Sequence, residues 1–441
     1  MSTGSENLSA RPVRLSGWSL TLIGLCLSAA IHAKETADGE IIVQLREQAE
    51  IAPLLARHQL SLMSRFGGRP IYRLKVIGSA KVDQKIDALV QEPTVRSAEP
   101  NPLHEAPETR KNVAWAIGNA QPYAAQWALQ SIRLAEAQGL STGAGIRVAV
   151  LDTGVDRRHP ALAGRLLPGF DFVDYDDDPS EVGTTANRSY GHGTHVAGLV
   201  ALVAPDAKIM PLRILDAEGM GNLWVLVEAM LYAVDPDGDP TTDDGAHVIN
   251  LSLSTLTKTQ LFKTVAKLVS CKKKGAAAGD PDGDDDPAAS VSDKVRCSGF
   301  GGAVVVAAAG NRGSDKVPEY PAAEASHGML SVAASASSGT LAEFSNYGWV
   351  KLAAPGDDIT SAVPGGGFAT WSGTSMAAPL VAGAAALLRA ADRSLTADKV
   401  VQRLRARGSK LCRTSLKELD LFLALTDDPS REKPSCTNPR N

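Results

Sequence analysis

The chain has 441 residues, enough for one large domain and a smaller one. Its apolar fraction of 44% and net charge of −4 are ordinary for a globular protein and show neither a basic surface nor an acidic tail. This balance argues against nucleic-acid binding and favours a neutral polymer such as polypeptide as the partner.

Residues 1–33 are predicted to be a secretory signal peptide. Arg11 and Arg14 precede an apolar stretch at 18–31, and small residues at 30 and 33 precede a charged segment. The stretch is shorter than the about 20 apolar residues of a membrane span. An uncleaved membrane anchor is the alternative, and either interpretation predicts export.

Residues 40–106 are predicted to form a small α/β domain. Strands are expected at 40–45, 69–77 and 95–98, and helices at 51–60 and 81–90. The link that follows, 103–113, is rich in proline and charge. We expect it to be exposed and extended, with a proteolytic cut near 109–112.

A buried parallel strand is predicted at 146–151, where β-branched and apolar residues run up to Asp152 and Gly154. Asp152 therefore lies at the carboxyl end of a strand. In open α/β sheets this edge binds ligands, so Asp152 is a candidate catalytic residue.

Three loops contain clustered aspartates, which repel one another unless they are solvated or bind a hard cation such as calcium. Solvated surface acid is the simpler explanation for the second and third clusters. The clusters comprise Asp171, Asp174, Asp176, Asp177 and Asp178; Asp235, Asp237, Asp239, Asp243 and Asp244; and Asp280, Asp282, Asp284, Asp285 and Asp286.

Two further segments begin helices with polar residues. His192 precedes the apolar residues 196–201, and Ser375 precedes an alanine-rich stretch at 376–388. His192 and His195 have no glutamate between them, which argues against a His-Glu-x-x-His zinc site, so His195 is interpreted as structural. Small residues predict close packing of both helices.

Asp152, His192 and Ser375 together suit nucleophilic catalysis. A hydroxyl attacks an amide when an imidazole takes its proton and a carboxylate orients that imidazole. An aspartic protease would need a second Asp-Thr/Ser-Gly motif, and the sequence contains none. The motifs Asp152-Thr-Gly, Gly-His192-Gly-Thr-His and Gly-Thr-Ser375-Met-Ala-Ala-Pro, in this order, resemble those of the subtilisin-like (subtilase, peptidase S8) family.

The resemblance implies an α/β three-layer catalytic domain with a mostly parallel sheet at residues 113–425, followed by a tail at 426–441. It also implies that Asn311, after the strand at 303–306, donates to the oxyanion together with the Ser375 amide. Chemistry of this kind needs no cofactor. Relatives often bind structural calcium before the catalytic histidine, which here implies Asp174, Asp176 and Asp178 as ligands.

The same resemblance maps a primary specificity pocket. Its walls and base would comprise Ser252, Leu253, Ser254, Ala308, Gly310 and Glu319. Glu319 would select a basic residue before the scissile bond if its charge is available. Alternatively, Glu319 pairs with Arg312. Most relatives have glycine where this chain has Ser254, so the pocket is expected to be narrower or differently angled.

Residues 40–106 resemble the inhibitor-I9-like propeptide of secreted subtilases. This implies a ferredoxin-like prodomain that assists folding, covers the active site as an intramolecular inhibitor and is then removed. A permanent interaction domain is the alternative. Residues 255–302 are longer than most relatives need and are interpreted as a surface insertion.

Four cysteines outside the signal segment are consistent with export. The simplest of three pairings joins Cys271 to Cys297 and Cys412 to Cys436, and four free thiols are the alternative. We therefore predict a secreted or periplasmic, monomeric serine endopeptidase that matures itself. A membrane-tethered protease with one dedicated partner and a catalytically silent binding protein are the competing hypotheses.

Overall fold

The structure, a computed structural model, describes residues 36–46, 49–110, 121–271 and 301–431. The predicted signal peptide, residues 111–112 of the expected cut, the third aspartate cluster, Cys297 and Cys436 lie outside the described residues.

The N-terminal domain has the order βαββαβ and forms an antiparallel sheet with strand order β2-β3-β1-β4. Ile41, Val43 and Leu45 alternate along β1 and pack with Leu54 and Leu89 of the two helices, while Ile42 points to the opposite face. This arrangement is the ferredoxin-like fold that the resemblance implied. The elements are β1 (Thr36–Leu45), α1 (Ala52–His58), β2 (Leu60–Arg65), β3 (Ile71–Val76), α2 (Val82–Leu89) and β4 (Val95–Glu105).

Two parts of this domain differ from the prediction. Leu60–Arg65 forms a strand that the sequence analysis missed, because much of it is exposed and it lacks a clear alternation of buried and exposed residues. The last strand continues beyond residue 98 to Glu105, because a strand of the next domain pairs with it. The prediction of an exposed link is therefore wrong for its first part, since Leu103 to Glu108 are all buried or half-buried.

The second domain contains nine helices and twelve strands among the described residues. The helices are α3 (Gln121–Ala125), α4 (Trp127–Ser131), α5 (Leu134–Gln138), α6 (His192–Val203), α7 (Leu223–Val234), α8 (Gln260–Val269), α9 (Thr374–Ala391), α10 (Ala397–Ala406) and α11 (Leu421–Thr426). The strands are β5 (Arg147–Asp152), β6 (Phe170–Asp171), β7 (Lys208–Arg213), β8 (Met220–Asn222), β9 (Val248–Leu251), β10 (Val304–Ala308), β11 (Met329–Ser335), β12 (Leu352–Pro355), β13 (Ile359–Val363), β14 (Gly367–Trp371), β15 (Ser409–Lys410) and β16 (Lys417–Glu418).

A nine-stranded sheet with order β15-β16-β12-β11-β10-β9-β5-β7-β6 forms the centre of this domain. All neighbouring strands are parallel except β15 and β16. Val148 and Val150 of β5 face one core with α6 and α9, whereas Ala149 and Leu151 face another with α7 and α8. The predicted three-layer α/β fold is therefore confirmed.

Helices α6 and α9 pack closely against each other, as their small residues predicted. A Cβ added to Gly383 of α9 would lie 2.6 Å from the Val203 Cβ of α6. Among the residues described, α9 is the helix long and apolar enough to cross a membrane, but 89% of its apolar window is buried inside the protein. Its apolar character thus reflects a place in the core.

Candidate active site

Asp152, His192 and Ser375 are brought together by three elements of the catalytic domain. Asp152 is the last residue of β5, His192 is the first residue of α6, and Ser375 is the second residue of α9. All three are buried. The sequence-based placement of Asp152 at a strand end and of the other two at helix starts agrees with these positions.

The carboxylate of Asp152 orients the His192 ring. Asp152 Oδ1 lies 2.6 Å from His192 Nδ1 and accepts a hydrogen bond of 2.8 Å from the Thr153 amide. With Nδ1 engaged by a carboxylate, Nε2 is the ring atom that faces Ser375 and can exchange a proton there. This is the geometry that a general base requires.

Asn311 is held with its amide N–H2 directed into the site. Its Oδ1 accepts hydrogen bonds from the Thr374 backbone amide at 2.9 Å and from Thr374 Oγ1 at 3.0 Å. The Nδ2 group therefore points away from Thr374. Thr374 in turn accepts from the Gly310 amide at 3.0 Å. Asn311 Nδ2 is therefore presented beside Ser375, where an oxyanion donor would act.

The side chain of Glu108 occupies this centre. Its Oε2 lies 2.8 Å from Ser375 Oγ and 3.1 Å from His192 Nε2, and its Oε1 accepts a 2.8 Å hydrogen bond from Asn311 Nδ2. Glu108 belongs to a 3-10 turn, Pro107–Arg110, directly after β4. One carboxylate thus bridges the side chains of Ser375, His192 and Asn311.

The glycine before the nucleophile motif leaves room for this carboxylate. A Cβ added to Gly373 would lie 1.8 Å from Glu108 Oε1. Any side chain at this position would exclude the carboxylate. The same space would accept the oxygen of a tetrahedral intermediate.

Charge couples Glu108 to His192. Burial alone would lower the pKa of His192, but the carboxylates of Asp152 and Glu108 outweigh it and raise this pKa to about 10. Burial would likewise raise the pKa of Glu108, but hydrogen bonds and charge from His192, with hydrogen bonds from Ser375 and Asn311, hold it below its ordinary value. Each charge therefore favours the other: Glu108 favours a protonated His192, and His192 favours an ionised Glu108.

The chain before Glu108 is extended and pairs on both sides with segments of the second domain. On one side, β4 pairs antiparallel with β8, and the Ala106 amide donates to the Gly219 carbonyl at 3.0 Å. On the other side, Glu105 and Ser254 exchange two backbone hydrogen bonds of 3.0 and 2.8 Å. This is the way an extended peptide adds to exposed sheet edges.

Of the predicted pocket residues, Ser254 pairs with Glu105 of this strand, and Ser252, Leu253, Ser254, Ala308 and Glu319 are buried. Ser252 contacts Ser375 directly, because its carbonyl lies 3.3 Å from Ser375 Oγ. Gly310, at φ +94°, packs against the Glu319 carboxylate, where a Cβ would lie 2.4 Å from it.

The carboxylate of Glu319 is already engaged. It accepts from Ser254 Oγ at 2.5 Å and from Asn346 Nδ2 at 3.0 Å, and it pairs with Arg312 Nε at 3.0 Å. Of the two alternatives from the sequence, the structure shows the pairing of Glu319 with Arg312. Its charge is therefore neutralised within the protein.

The predicted calcium ligands are only partly gathered. Arg213 Nη1 lies 2.5 Å from Oδ2 of Asp174 and 2.5 Å from Oδ2 of the buried Asp171. Asp178 Oδ1 accepts a hydrogen bond of 2.5 Å from Ser180 Oγ. In the described part of the chain, the three carboxylates of Asp174, Asp176 and Asp178 do not converge on one point. Oxygens of Asp235, Asp237 and Asp244 do lie within 4.8 Å of one another.

His195 is structural, as predicted from its spacing. It is buried, stacks on Trp371 at 4.6 Å between ring centroids, and its Nε2 lies 3.1 Å from the Ala369 carbonyl. Cys271 and Cys412 are both disulfide-bonded. Their predicted partners lie outside the described residues.

Sequence reasoning missed three components of the site: Glu108, the edge strand β8 and a buried carboxylate, Glu181, beneath the triad. The Gly219-Met-Gly-Asn222 segment contained a weak signal for an edge open to a peptide, since glycines allow close backbone approach. Glu108 and Glu181 have no local sequence signal, because their partners are distant in the chain.

Comparison with known proteins agrees with this geometry. Residues 143–415 match the Subtilase family, and residues 28–101 match the Fervidolysin N-terminal prodomain. The chain is 34% identical to a thermophilic serine proteinase of Bacillus sp. (strain AK1) over 81% of this chain and 79% of that protein. It is 35% identical to thermitase of Thermoactinomyces vulgaris over 62% of this chain and 89% of that protein.

Solved structures show the same likeness. Fervidolysin from Fervidobacterium pennivorans, described as a keratinolytic enzyme related to subtilisin, superposes with a TM-score of 0.67 at 25% identity. That match covers 89% of this chain and 61% of the fervidolysin chain. A protease from Pseudoalteromonas arctica superposes with a TM-score of 0.57 at 26% identity, covering 71% of this chain and 99% of that one.

Proposed function

Because this chain belongs to the subtilase family and is a subtilisin-like serine endopeptidase, we propose that it is exported as an inhibited precursor and matures itself. In this proposal Asp152, His192 and Ser375 form the catalytic triad. The single observation that carries the precursor proposal is the Glu108 carboxylate, which bridges Ser375, His192 and Asn311.

The proposed mechanism follows from the positions of these groups. With Glu108 gone, Ser375 Oγ attacks the scissile carbonyl while His192 Nε2 takes its proton. Asn311 Nδ2 and the Ser375 amide stabilise the oxyanion. His192 then protonates the leaving amine and activates the water that releases the acyl-enzyme, with Asp152 fixing the ring throughout. The chemistry uses no cofactor.

Prodomain contacts support a role in folding as well as inhibition. The Glu99 carboxylate accepts hydrogen bonds from the Gln260 and Leu261 amides, at 2.8 and 2.9 Å, at the start of α8. Asn101 Oδ1 accepts from the Trp224 amide at 3.1 Å at the start of α7. The prodomain therefore satisfies amides at two helix N-termini of the catalytic domain.

We further propose a secreted or periplasmic location. The disulfide bonds of Cys271 and Cys412 support it, because disulfides persist in oxidising compartments. A monomer is proposed because one chain supplies every group of the triad, and the net charge of −4 supports the absence of a nucleic-acid partner. Polypeptides are the substrates.

Structural calcium in the loop of Asp174, Asp176 and Asp178 is also proposed. Carboxylate oxygens are the ligands calcium prefers, but Arg213 already neutralises Asp174 in this arrangement. Calcium would therefore have to compete with Arg213. A thermal transition that does not move between EDTA and millimolar calcium would refute it.

The full chain and Ser375→Ala, expressed side by side, test the proposed function. Intact mass, N-terminal sequencing and labelling with a serine-directed fluorophosphonate are measured on both. We expect the parent alone to lose its prodomain and to be labelled. A parent that is neither cut nor labelled would support the silent binding protein, whereas a labelled protein retained in membranes with an intact N-terminus would support a tethered protease.

A further inference from the structure

The carboxylate of Glu181 lies where β5 ends and α6 begins, next to the triad. Its Oε1 accepts from Thr153 Oγ1 at 2.5 Å and from the Gly191 amide at 2.9 Å. Its Oε2 accepts from the Thr194 amide at 3.2 Å and from Thr194 Oγ1 at 2.7 Å. One side chain thus receives four hydrogen bonds from the residues flanking the catalytic groups.

Helix α6 needs this acceptor because it has no cap of its own. Its N-cap residue is Gly191, at φ 90°, which has no side chain to accept hydrogen bonds from the first-turn amides. Glu181 accepts from the Thr194 amide of this turn at 3.2 Å and from the Gly191 amide before it at 2.9 Å. A carboxylate at this end also interacts favourably with the helix dipole.

The same carboxylate is linked to Asp152 and His192 through Thr153. Thr153 Oγ1 accepts from the Gly193 amide at 2.9 Å, and the Thr153 amide donates to Asp152 Oδ1 at 2.8 Å. That oxygen is the one bonded to His192 Nδ1. Glu181 therefore ties the residue after Asp152 to the residues on both sides of His192.

Close backbone packing holds the Glu181 loop in place. A Cβ on Gly154, which has φ +108°, would lie 2.7 Å from the Ser180 carbonyl oxygen and 3.0 Å from the Glu181 amide nitrogen. Only glycine at this position permits the loop to approach the end of β5 so closely. This packing fixes the position of the Glu181 carboxylate next to the triad.

Hydrogen bonding and burial act on the charge of Glu181 in opposite directions. Its four partners all donate to it, which favours the anion, but burial raises the pKa of Glu181 to about 7 and the charge of Asp152 adds to this effect. Burial raises the pKa of Tyr190, and the charges of Glu181 and Asp156 add to this effect. The ionisable groups around it are therefore Asp152, His192, Tyr190 and Asp156.

We propose that Glu181 is a positioning residue of the proteolytic site: it holds Asp152 and His192 in their catalytic alignment. This inference rests on the triad proposed above. It assigns Glu181 no contact with substrate.

The test is Glu181→Gln in the mature enzyme, with kcat, KM and the pH dependence of kcat/KM measured on a peptide substrate. Glutamine turns an N–H2 group toward the donors on α6, so at least one hydrogen bond is lost and the alignment loosens. We expect kcat to fall about 10- to 100-fold, the scale of a small misplacement of a catalytic group, with KM within about twofold. With a pKa of about 7, Glu181 carries part of a negative charge near neutral pH, and because glutamine removes it the acid limb of kcat/KM should move slightly to lower pH.

Two variants separate positioning from simple destabilisation. Glu418→Gln removes another buried carboxylate, one that accepts from Ser131 Oγ at 2.8 Å and from Ser335 Oγ, far from the triad. It should lower the melting temperature and leave kcat and the acid limb unchanged. Glu181→Asp keeps the carboxylate. Its acid limb should lie close to that of the parent, whereas its kcat should stay further below the parent value.

An unchanged kcat and acid limb in Glu181→Gln, with only a lower melting temperature, would overturn the inference. If Glu181→Gln yields no mature enzyme, Thr194→Val is measured instead. It removes one of the four hydrogen bonds to Glu181 and also the one that Thr194 Oγ1 accepts from the Asp156 amide. We expect kcat to fall about three- to tenfold, with the acid limb shifted in the same direction; no change overturns the inference. A parent enzyme that hydrolyses the substrate supports the proposed function whatever these variants do.

Discussion

Replacing Glu108 with alanine removes the carboxylate that bridges Ser375, His192 and Asn311 in the proposed precursor. Three contacts disappear together: those to Ser375 Oγ and Asn311 Nδ2 at 2.8 Å each, and that to His192 Nε2 at 3.1 Å. The strand pairing of β4 with β8 is untouched. We therefore expect a precursor that keeps its prodomain bound but opens its catalytic centre far more often.

The size of the effect follows from the burial of these groups. Truncating one partner of a buried, hydrogen-bonded charge pair costs about 2–5 kcal/mol. Since 1.4 kcal/mol is about tenfold in an equilibrium constant, the open fraction should rise roughly 30-fold to several thousand-fold. Glu108→Gln keeps the shape and loses the charge, so its effect should be smaller than that of alanine.

The assay follows fluorophosphonate labelling of the uncut precursor at early times, with precursor and mature enzyme separated by gel. Glu99→Gln is the matched control, because Glu99 joins the prodomain to α8 without contacting the triad. It should change the labelling rate much less than the Glu108 variants. Equal labelling of parent and Glu108→Ala precursors would refute the idea that Glu108 closes the site.

Three more outcomes follow from the structure. The closed state that includes protonated His192 is fully stabilised below pH 6.5, the ordinary pKa of histidine, and loses this stabilisation as pH rises through about 10. Labelling of the parent precursor should thus increase from pH 6.5 to 10. In Glu108→Ala the increase should occur at lower pH. A labelling rate that does not change with pH contradicts this. Asn311→Ala should lower kcat of the mature enzyme about 10²–10³-fold, the range known for such a donor in a subtilisin, with KM nearly unchanged; a normal kcat would remove Asn311 from the oxyanion hole. Asn101→Ala deprives the Trp224 amide and the Glu40 carboxylate of a buried partner, at about 1–3 kcal/mol. The refolding yield of the full chain after dilution from denaturant should fall, and an unchanged yield argues against a folding role for this contact.

Most of the catalytic centre was predictable because its groups stand at the ends of regular elements. Asp152 ends an apolar strand, and His192 and Ser375 begin apolar helices, so short stretches of sequence identify both the residue type and its setting. Asn311 comes shortly after β10, but its role as an oxyanion donor was implied by the family resemblance. These signals are local and do not depend on the rest of the chain.

The prodomain was predictable in outline and not in its boundaries. Its alternating strands and helices were recognisable, but β2 has little buried surface and β4 gains its final residues by pairing with β8. A strand that is completed by another domain has no reason to show a regular pattern of its own. The prediction of an exposed link was wrong in its first part for this reason.

By itself, the sequence determined the residues of the proposed triad, and the resemblance of its motifs to the subtilase family implied the three-layer fold and the prodomain. This was possible because motifs and element ends are local properties. Only the tertiary structure decided what fills the active site and what supports it. Glu108 contacts partners 84, 203 and 267 positions away, and Glu319 is neutralised by Arg312 rather than presented to substrate. Contacts over such distances depend on how the sheets and helices pack, which no short stretch of sequence records.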